Sequence, residues 1–546
     1  MKVKTVTVRA LVALFITATL VWGALDLGLA AEKSKQEVKP KYGGTLRREF
    51  EGDVPSLDPA HIGDTQSHEV GYCIYNGLLG YANDSAELVP ELATSYTVSP
   101  DRKTYTFKLR KGVKFHNGRE FEASDVKYSL ERIIDPKTKS EGQWTMEGIL
   151  GAKEFAEGKA KEVVGIKVID KYTVSITLAK PLPFFPSIMA MSYAYIVPKE
   201  EVEKWGEDFT RHPCGTGPFK FAEWKAGQYV KVVRNPEYWE KDKWGQRLPY
   251  LDAIIWYFIP DENVRFMKFE NGELDLYYRI PPASFERIMK DRKRAPYVVR
   301  GPQMVIQYFG MNNSRPPFNN VLVRRAFNHA VNKVKIIQKV INGRGIMAQG
   351  VLPPGFPGYN PNLRSGYPNK AKALLAEAGY GPNNPFPKIT IWYNQHGTWQ
   401  KVAESIQADL KAIGVDAELQ SAQWSTYLDK VRRYDLDIFR LGWMADYPDP
   451  DNFLWTLFHS DNIGQDNSAA YKNPEVDKLL DAARVERDWK KRVELYQKAE
   501  KLIVADAPWI FLYHPITDWI HQPYVHGVIV HPIVQQVYKV IWMDKK

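Results

Sequence analysis

The sequence predicts an α/β protein of about two to four domains. Helical and strand-like patterns alternate along its 546 residues, without a repeat of fixed period. Roughly 515 residues follow a predicted leader, and that length is too great for one hydrophobic core. Charged residues make up 25% of the chain and are spread along it, as in soluble globular proteins.

Residues 1 to 31 predict a secretory signal peptide, because a basic start, an apolar run and small residues follow one another. These parts are Lys2, Lys4 and Arg9, then Ala10 to Leu25, then Gly28, Ala30 and Ala31. Asp26 ends the apolar run, which is therefore shorter than the roughly 20 apolar residues that a membrane span needs. This length argues against an uncleaved membrane anchor. We expect cleavage near Ala30 or Ala31. With no cysteine there to carry a lipid, we expect a free periplasmic protein.

Two segments that alternate apolar and polar residues predict half-buried strands, with a helix between them. The apolar strand positions are Tyr105, Phe107 and Leu109, and then Val174, Ile176 and Leu178. The apolar stripe of the helix consists of Val126, Leu130, Ile133 and Ile134. Ser124 is its expected N-cap.

The C-terminal half continues the alternation. A helical face from Val402 to Ile413 ends at Gly414 and leads into the strand-like VDAEL. A helix predicted from Trp489 to Ile503 breaks at Pro508, before the apolar stretch WIFLY. Both segments are typical of α/β units.

The formal charge of +10 does not indicate nucleic acid, because basic and acidic residues are interleaved and no basic block stands alone. Cys73 and Cys214 are the only cysteines of the chain. An oxidising compartment would permit one disulfide between them, and the sequence leaves that pairing open.

An exported hydrolase is the alternative from another functional class. The sequence contains no G-x-S-x-G, no H-E-x-x-H and no C-x-x-C motif, so we do not expect an enzyme. GRGIMA at 343 to 348 fits a loose dinucleotide pattern. It follows a predicted helix, whereas a dinucleotide site follows a strand, so we interpret it as a helix stop.

The segment ELATSYTVSPDRKTYTFKLRKGVKFHNGREFEASDVKYSLERII at 91 to 134 resembles the signature of the family 5 extracytoplasmic solute-binding proteins. These are peptide- and nickel-binding receptors of ABC importers. The resemblance continues through YNGLL at 75 to 79, GTGPFKF at 215 to 221, RNPEYW at 234 to 239 and AKALLAEAGY at 371 to 380. It implies a two-lobed periplasmic binding protein fold (type II, cluster C) with an additional α/β domain and a two-strand hinge.

Carried onto this chain, the resemblance divides the mature protein into three parts. The first lobe is expected at 32–80, 189–302 and 513–546, the additional domain at 81–188, and the second lobe at 303–512. The hinge then falls near residues 302 and 512. The ligand is expected between the two lobes.

The stretch FRLGWMADYPDPDNF at 439 to 453 is similar to the segment that lies beside the ligand in oligopeptide and dipeptide receptors. The resemblance implies that Asp446 binds the α-ammonium group of a peptide and that Arg440 lies near its carboxylate. Main-chain groups of Gly442 and Met444 would pair with the peptide. Trp443 and Trp424 would form pocket walls.

Other interpretations of these residues stay open at this point. An aspartate before Tyr-Pro-Asp-Pro is an ordinary turn former. Arg440 could pair structurally with Asp435, Asp437 or another acid, and either tryptophan could belong to a core. Six extended residues span about 20 Å, so Arg440 and Asp446 can reach opposite ends of a short peptide.

The resemblance implies no cofactor, and as partners a short peptide and the permease subunits of an ABC importer, with the receptor a monomer. Oligosaccharide, or a metal or haem chelate, is the alternative cargo. His514, His521, His526 and His531 lie close together in sequence, but their spacings place no two on one helical turn. We interpret them as scattered surface histidines and expect no metal site.

Overall fold

Strands and helices alternate along most of the chain. The structure, a computed structural model, describes residues 38–365, 370–395, 397–533 and 536–544. Residues 42–546 form one unit, and the predicted signal peptide lies outside the described residues. Within these ranges no helix is both long and apolar enough to cross a membrane.

The strands are, in chain order, β1 (Thr45–Phe50), β2 (Leu79–Tyr81), β3 (Leu88–Pro90), β4 (Ala93–Val98), β5 (Thr104–Leu109), β6 (Ile166–Asp170), β7 (Thr173–Thr177), β8 (Phe219–Lys225), β9 (Tyr229–Arg234), β10 (Ala253–Phe258), β11 (Leu276–Tyr278), β12 (Val298–Pro302), β13 (Val305–Met311), β14 (Gly345–Met347), β15 (Ile389–Asn394), β16 (Ala417–Ala422), β17 (Ile438–Met444), β18 (Trp509–His521), β19 (Val525–His526) and β20 (Trp542–Met543).

The α-helices are α1 (Thr65–Ile74), α2 (Ala123–Ile134), α3 (Gln143–Met146), α4 (Ala152–Ala156), α5 (Phe185–Ile188), α6 (Lys199–Trp205), α7 (Glu262–Glu270), α8 (Pro282–Lys290), α9 (Val321–Ala330), α10 (Lys333–Lys335), α11 (Ala371–Glu377), α12 (Gly397–Lys411), α13 (Trp424–Arg432), α14 (Pro450–Phe458), α15 (Pro474–Val485) and α16 (Trp489–Asp506). A π-helical turn, Ile336–Val340, continues α10.

Three larger sheets organise these strands. One has the order β1-β10-β9-β8, with β1 parallel to β10. The second is antiparallel in the order β4-β5-β7-β6. The third has the order β11-β18-β13-β17-β15-β16, and β12 and β14 also pair with β18. The long strand β18 pairs with β12 through Ile516–Ile520 and with β13 through Trp509–Tyr513, so one strand serves both. The expected domain limits and hinge stay predictions.

Local patterns predict several of these elements correctly. The alternating segments are β5 and β7, which pair directly, and α2 lies between them in the chain. Helix α12 ends just before Gly414, whose φ of +88° favours glycine. The predicted Ser124 cap is wrong. Glu122 precedes the first turn, its N–H donates to the Asp125 carboxylate at 2.9 Å, and Ser124 lies inside the helix.

The glycine-rich GRGIMA segment is confirmed as a helix stop. The π-helical turn ends at Val340, and Asn342 and Gly343 follow with φ of 54° and 71°. The chain then enters β14. The segment therefore follows a helix and opens a strand, the reverse of a dinucleotide-binding turn.

The cysteines and two of the histidines depart from expectation. Cys73 and Cys214 are buried free thiols, so the possible disulfide is not formed. The Cys73 thiol instead donates to the Glu69 carbonyl in its own helix, at 3.7 Å. The surface interpretation is wrong for His514 and His531, which are buried and hydrogen-bond main-chain carbonyls. No cluster of three or more His, Cys, Asp or Glu side chains in the described ranges could hold a metal ion.

Candidate ligand-binding site

Strand β17 carries the segment that the sequence singles out. It pairs antiparallel with β13, and Met444 lies opposite Val305. Just beyond the strand, the Ala445 N–H donates to the Met304 carbonyl at 2.8 Å. Because main-chain groups alternate in direction along an antiparallel strand, those of Gly442 and Met444 point away from β13.

The side of β17 that faces away from β13 is only partly covered. Strand β15 pairs with it in parallel at Ile438 and Phe439, and no described strand continues this pairing toward Met444. At Gly442 a Cβ atom would lie 2.5 Å from Oε1 of Gln307, so a side chain there fits only if the Gln307 amide moves. A larger residue at position 442 would therefore displace the Gln307 side chain, whose Oε1 accepts a hydrogen bond from Arg440.

Asp446 is a half-buried carboxylate without a cationic partner. Its N–H donates to Oδ1 of Asn452, and Nδ2 of Asn452 donates to its Oδ2, each at 2.9 Å. It forms no ion pair with any residue that the structure describes. Burial raises the pKa of Asp446 to about 6, and the nearby Asp466 adds to the rise, against the Asn452 hydrogen bond.

A cavity of about 150 Å³ lies in front of Asp446. Its walls come from sequence-distant segments: Ile62, Gly63, Asp64, Thr65, His68, Tyr72, Tyr81, Ala190, Met191, Ser192, Tyr193, Met444, Ala445, Asp446 and Ile533. The buried Tyr81 hydroxyl has no hydrogen-bond partner in the described part of the chain. Burial lowers the pKa of His68 to about 4, so its ring is neutral. The cavity therefore presents carboxylate and hydroxyl groups among aromatic rings.

A second cavity, of about 270 Å³, adjoins the first and shares Thr65 and Met444 with it. Its remaining walls are Arg48, Glu49, Phe50, Glu51, Gln66, Glu69, Glu262, Arg265, Tyr277, Tyr278 and Arg279. Met444 thus lies between the two cavities. Arg440, Gly442, Trp443 and Trp424 line neither of them.

Arg440 is held by neutral groups. Its guanidinium donates to Oε1 of Gln307 and to Oδ1 of Asn394, the latter at 3.3 Å, and lies 3.5 Å from the centre of the Trp399 ring. Its Nε is buried without a hydrogen-bond partner among the described residues. Burial lowers the pKa of Arg440 to about 10. A half-buried cation with no carboxylate partner in the described ranges is an unusual arrangement for a purely structural arginine.

The alternative pairing of Arg440 with Asp435 or Asp437 is wrong, and in the part of the chain that the structure describes Arg440 forms no ion pair with another acid. Asp437 pairs with Arg315 at 3.0 Å, and Asp435 pairs with Arg433 at 3.0 Å. Both acids are thus already compensated by other arginines.

The two tryptophans occupy different environments. Trp443 donates from Nε1 to Oδ1 of Asn452 at 3.1 Å, and so helps to orient the amide that holds Asp446. Trp424 opens helix α13, is 49% exposed and stacks on Tyr427 with ring centroids 6.1 Å apart. Ligand contacts of these residues stay predictions.

Sequence reasoning missed the walls opposite β17. Tyr81, His68 and Glu49 lie hundreds of residues away from Asp446 in the chain, and only folding brings them to the cavities. Tyr81 lies just after the YNGLL segment, but nothing in its local sequence distinguishes a cavity tyrosine from a core tyrosine.

A family model described as bacterial extracellular solute-binding proteins, family 5 Middle, matches residues 87–465. The chain belongs to this family. Among its relatives, the oligopeptide-binding protein OppA of Bacillus subtilis is 30% identical, over 97% of this chain and 98% of that protein. The heme-binding protein A of Haemophilus influenzae is 32% identical over the same shares. The glutathione-binding protein GsiB of Pectobacterium atrosepticum is 33% identical over 94% of each.

Solved structures confirm the two-lobed family 5 fold. DppA of Helicobacter pylori, an ABC transporter-associated periplasmic binding protein in complex with the peptide STSA, matches with a TM-score of 0.80 and 31% identity, over 92% of this chain and 99% of that one. The unliganded open form of the murein tripeptide binding protein MppA has a TM-score of 0.73 and 29% identity, over 93% and 99%. The present structure is thus more similar to a peptide complex than to this open form.

Proposed function

We propose that this family 5 solute-binding protein captures short peptides between its two lobes and delivers them to the permease subunits of an ABC importer. The observation that carries the proposal is the Asp446 carboxylate, which is half-buried at a cavity and has no cationic partner within the described ranges. An α-ammonium group would supply the missing charge.

The main chain of β17 supports an extended ligand. Peptides often add to a partly uncovered strand through main-chain hydrogen bonds, which are independent of the peptide's side chains. Gly442 and Met444 direct their main-chain groups to the side away from β13. We propose that these groups pair with the peptide.

Arg440 would bind the opposite end. It lies six residues before Asp446, a separation of about 20 Å along an extended strand. With both side chains directed toward the ligand, this span would suit a peptide of a few residues. Trp443 and Trp424 would bound this path, Trp424 at its exposed rim.

The relatives support this cargo. They include oligopeptide-, dipeptide- and glutathione-binding proteins, and solved relatives contain peptides. These names describe those proteins, and the contacts above are the reasons to assign a peptide to this chain.

Closure would couple binding to transport. A peptide that touches both lobes stabilises the closed arrangement, and the permease would then recognise that arrangement. We propose the hinge at residues 302 and 512, beside β12, β13 and β18, with the lobes and additional domain divided as the sequence predicts. The mature protein would act in the periplasm as a monomer.

The decisive experiment is a double-mutant cycle by calorimetry. Asp446→Asn keeps the size of the side chain but removes its charge, and N-acetylation removes the ammonium of the peptide. We expect each change alone to weaken binding by about 2 to 5 kcal/mol, the range for truncating one partner of a buried charge pair. The combined loss should be well below the sum, because both changes remove one interaction.

Asp416→Asn is the matched control, because Asp416 is an exposed aspartate just before β16. It should bind peptides as the wild type does. Additive losses in the cycle would show that Asp446 does not bind the peptide terminus. A protein that binds no peptide, but purifies with a sugar, a haem or a metal chelate visible by native mass spectrometry, would contradict the peptide assignment.

A further inference from the structure

The second cavity contains a buried carboxylate that the proposed peptide contacts do not use. Glu49 lies on β1, is 4% exposed and lines this cavity. Its Oε1 accepts the Tyr278 N–H at 3.2 Å. Its Oε2 has no hydrogen-bond partner among the described residues. Leaving a buried carboxylate oxygen unsatisfied is unfavourable, so a missing donor is implied.

The neighbouring cations are engaged elsewhere. Arg48 forms an ion pair with Glu69 and donates to the Tyr538 hydroxyl at 2.6 Å. Arg265 donates to the carbonyls of Ile259 and Pro260, at 2.7 and 2.9 Å. Arg48 reaches only the main-chain carbonyl of Glu49, to which its Nε donates at 3.2 Å. Neither arginine is hydrogen-bonded to the Glu49 carboxylate, although both charges act on it at longer range.

Burial raises the pKa of Glu49 to about 7, even though Arg48 opposes the rise. The remaining charged side chains of the cavity are Glu51, Glu262 and Arg279, and Arg279 is exposed, with its guanidinium 4.9 Å from the centre of the Tyr278 ring. An incoming cation would stabilise the ionised form of Glu49. An incoming carboxylate would meet a like charge.

Resting on the proposed function, we infer that the second cavity binds an ammonium-bearing side chain of the peptide, with Glu49 as its counterion. The cavity shares Met444 with the first one, only two residues from Asp446. A peptide whose α-ammonium group lies at Asp446 would therefore place one of its first side chains at this opening. An ammonium suits the site better than a guanidinium, because only one oxygen of Glu49 is available and bidentate pairing needs two.

The test compares lysine with norleucine, which has the same aliphatic chain but no charge. Calorimetry would use Ala-Ala-Ala and tripeptides with either residue at each position in turn. In the wild type we expect lysine to bind at least about tenfold more tightly than norleucine at one position, as a buried charge pair requires. Nε-acetyl-lysine at that position should lose the advantage.

Glu49→Gln should reduce this preference to less than about threefold and leave the affinity for Ala-Ala-Ala close to that of the wild type. Glu51→Gln is the matched control, because Glu51 lines the same cavity but is exposed, and it should keep the preference.

The outcomes separate the two proposals. If no tripeptide binds, the proposed function fails. If Ala-Ala-Ala binds and depends on Asp446, but lysine has no advantage over norleucine at any position, the assignment of Glu49 is overturned while the peptide receptor stands. A lysine preference that survives in Glu49→Gln would also overturn it. Should that variant not fold, the norleucine and acetyl-lysine comparisons in the wild type decide alone.

Discussion

Two aspartates of the DYPDPD segment lie in opposite electrostatic situations. Asp446 faces a cavity and has a neutral amide, Asn452, as its side-chain partner. Asp449, three residues later, receives two hydrogen bonds from Arg492, at 2.6 and 2.7 Å, and both of these side chains are buried. One carboxylate is fully compensated within the fold, whereas the other has no cationic partner among the residues that the structure describes.

Further paired side chains surround Asp449. Asp451 forms an ion pair with Arg484 at 2.9 Å and accepts from the hydroxyl of Tyr447 at 3.0 Å. The Tyr447 ring stacks on Phe184 with centroids 5.3 Å apart. These contacts fix the turn that positions Asp446. The comparison shows how one turn can combine a rigid, paired scaffold with an uncompensated charge available to a ligand.

The largest expected effect is a loss of stability on replacing Asp449, the aspartate that is paired with an arginine. Asp449→Asn leaves the buried Arg492 guanidinium without its counterion, and breaking such a pair destabilises by about 3 to 5 kcal/mol. Urea denaturation should show this loss in the free energy of unfolding. The folded fraction should bind peptides with nearly unchanged affinity, provided that the turn is kept.

Asp446→Asn is the control on the same turn, because it should not lower stability. A variant of Asp449 as stable as the wild type would mean that the Asp449–Arg492 pair does not hold the turn.

A smaller effect is expected at Arg440, which lies toward the other end of β17 and has no carboxylate partner in the described part of the chain. Arg440→Met should weaken binding of peptides with a free C-terminus by about 1.5 to 3 kcal/mol, the range for hydrogen bonds to charged groups. C-terminally amidated peptides should lose much less, since they lack the partner charge. Calorimetry with both peptide forms measures the difference.

Arg433→Met offers a matched comparison, because Arg433 pairs with Asp435 on the surface. It should leave both affinities unchanged. Equal losses for free and amidated peptides in Arg440→Met would assign Arg440 a structural role only.

The smallest effect concerns stability without ligand. The pKa of Asp446 is raised by burial to about 6, above its ordinary value of 3.8, so ionisation disfavours the folded state. The free-energy cost of burying the ionised Asp446 carboxylate is absent below the pKa of this group in the unfolded chain. It is complete above the pKa of the group in the folded protein. Asp446→Asn should therefore be more stable than the wild type by about 1 to 2 kcal/mol at neutral pH. This advantage should disappear as the pH falls from about 6 to below 4.

Thermal or urea unfolding of both proteins across this pH range measures that difference. An advantage that is constant with pH, or that grows toward acid, would contradict the assignment of an uncompensated carboxylate at position 446.

The sequence by itself determined the local elements and the family. Alternation predicted β5 and β7, helical spacing predicted α12 and α16, and the family motifs led to β17 and to Asp446. These signals are short-range, since they depend on backbone preference and on one buried face per element. The local patterns wrongly predicted an N-cap at Ser124 and surface positions for His514 and His531, because a cap and the burial of a side chain both depend on groups beyond the residue itself.

Only the tertiary structure decided which charges are compensated. Asp446, Asp449 and Asp451 look alike in the sequence, but Arg484 and Arg492, which pair with the latter two, come from helices more than thirty residues downstream. Glu49 and Tyr81 reach the cavities from the opposite end of the chain. Burial and the distance to a counter-charge set the energy of an ionised side chain, and both are properties of the folded arrangement rather than of neighbouring residues.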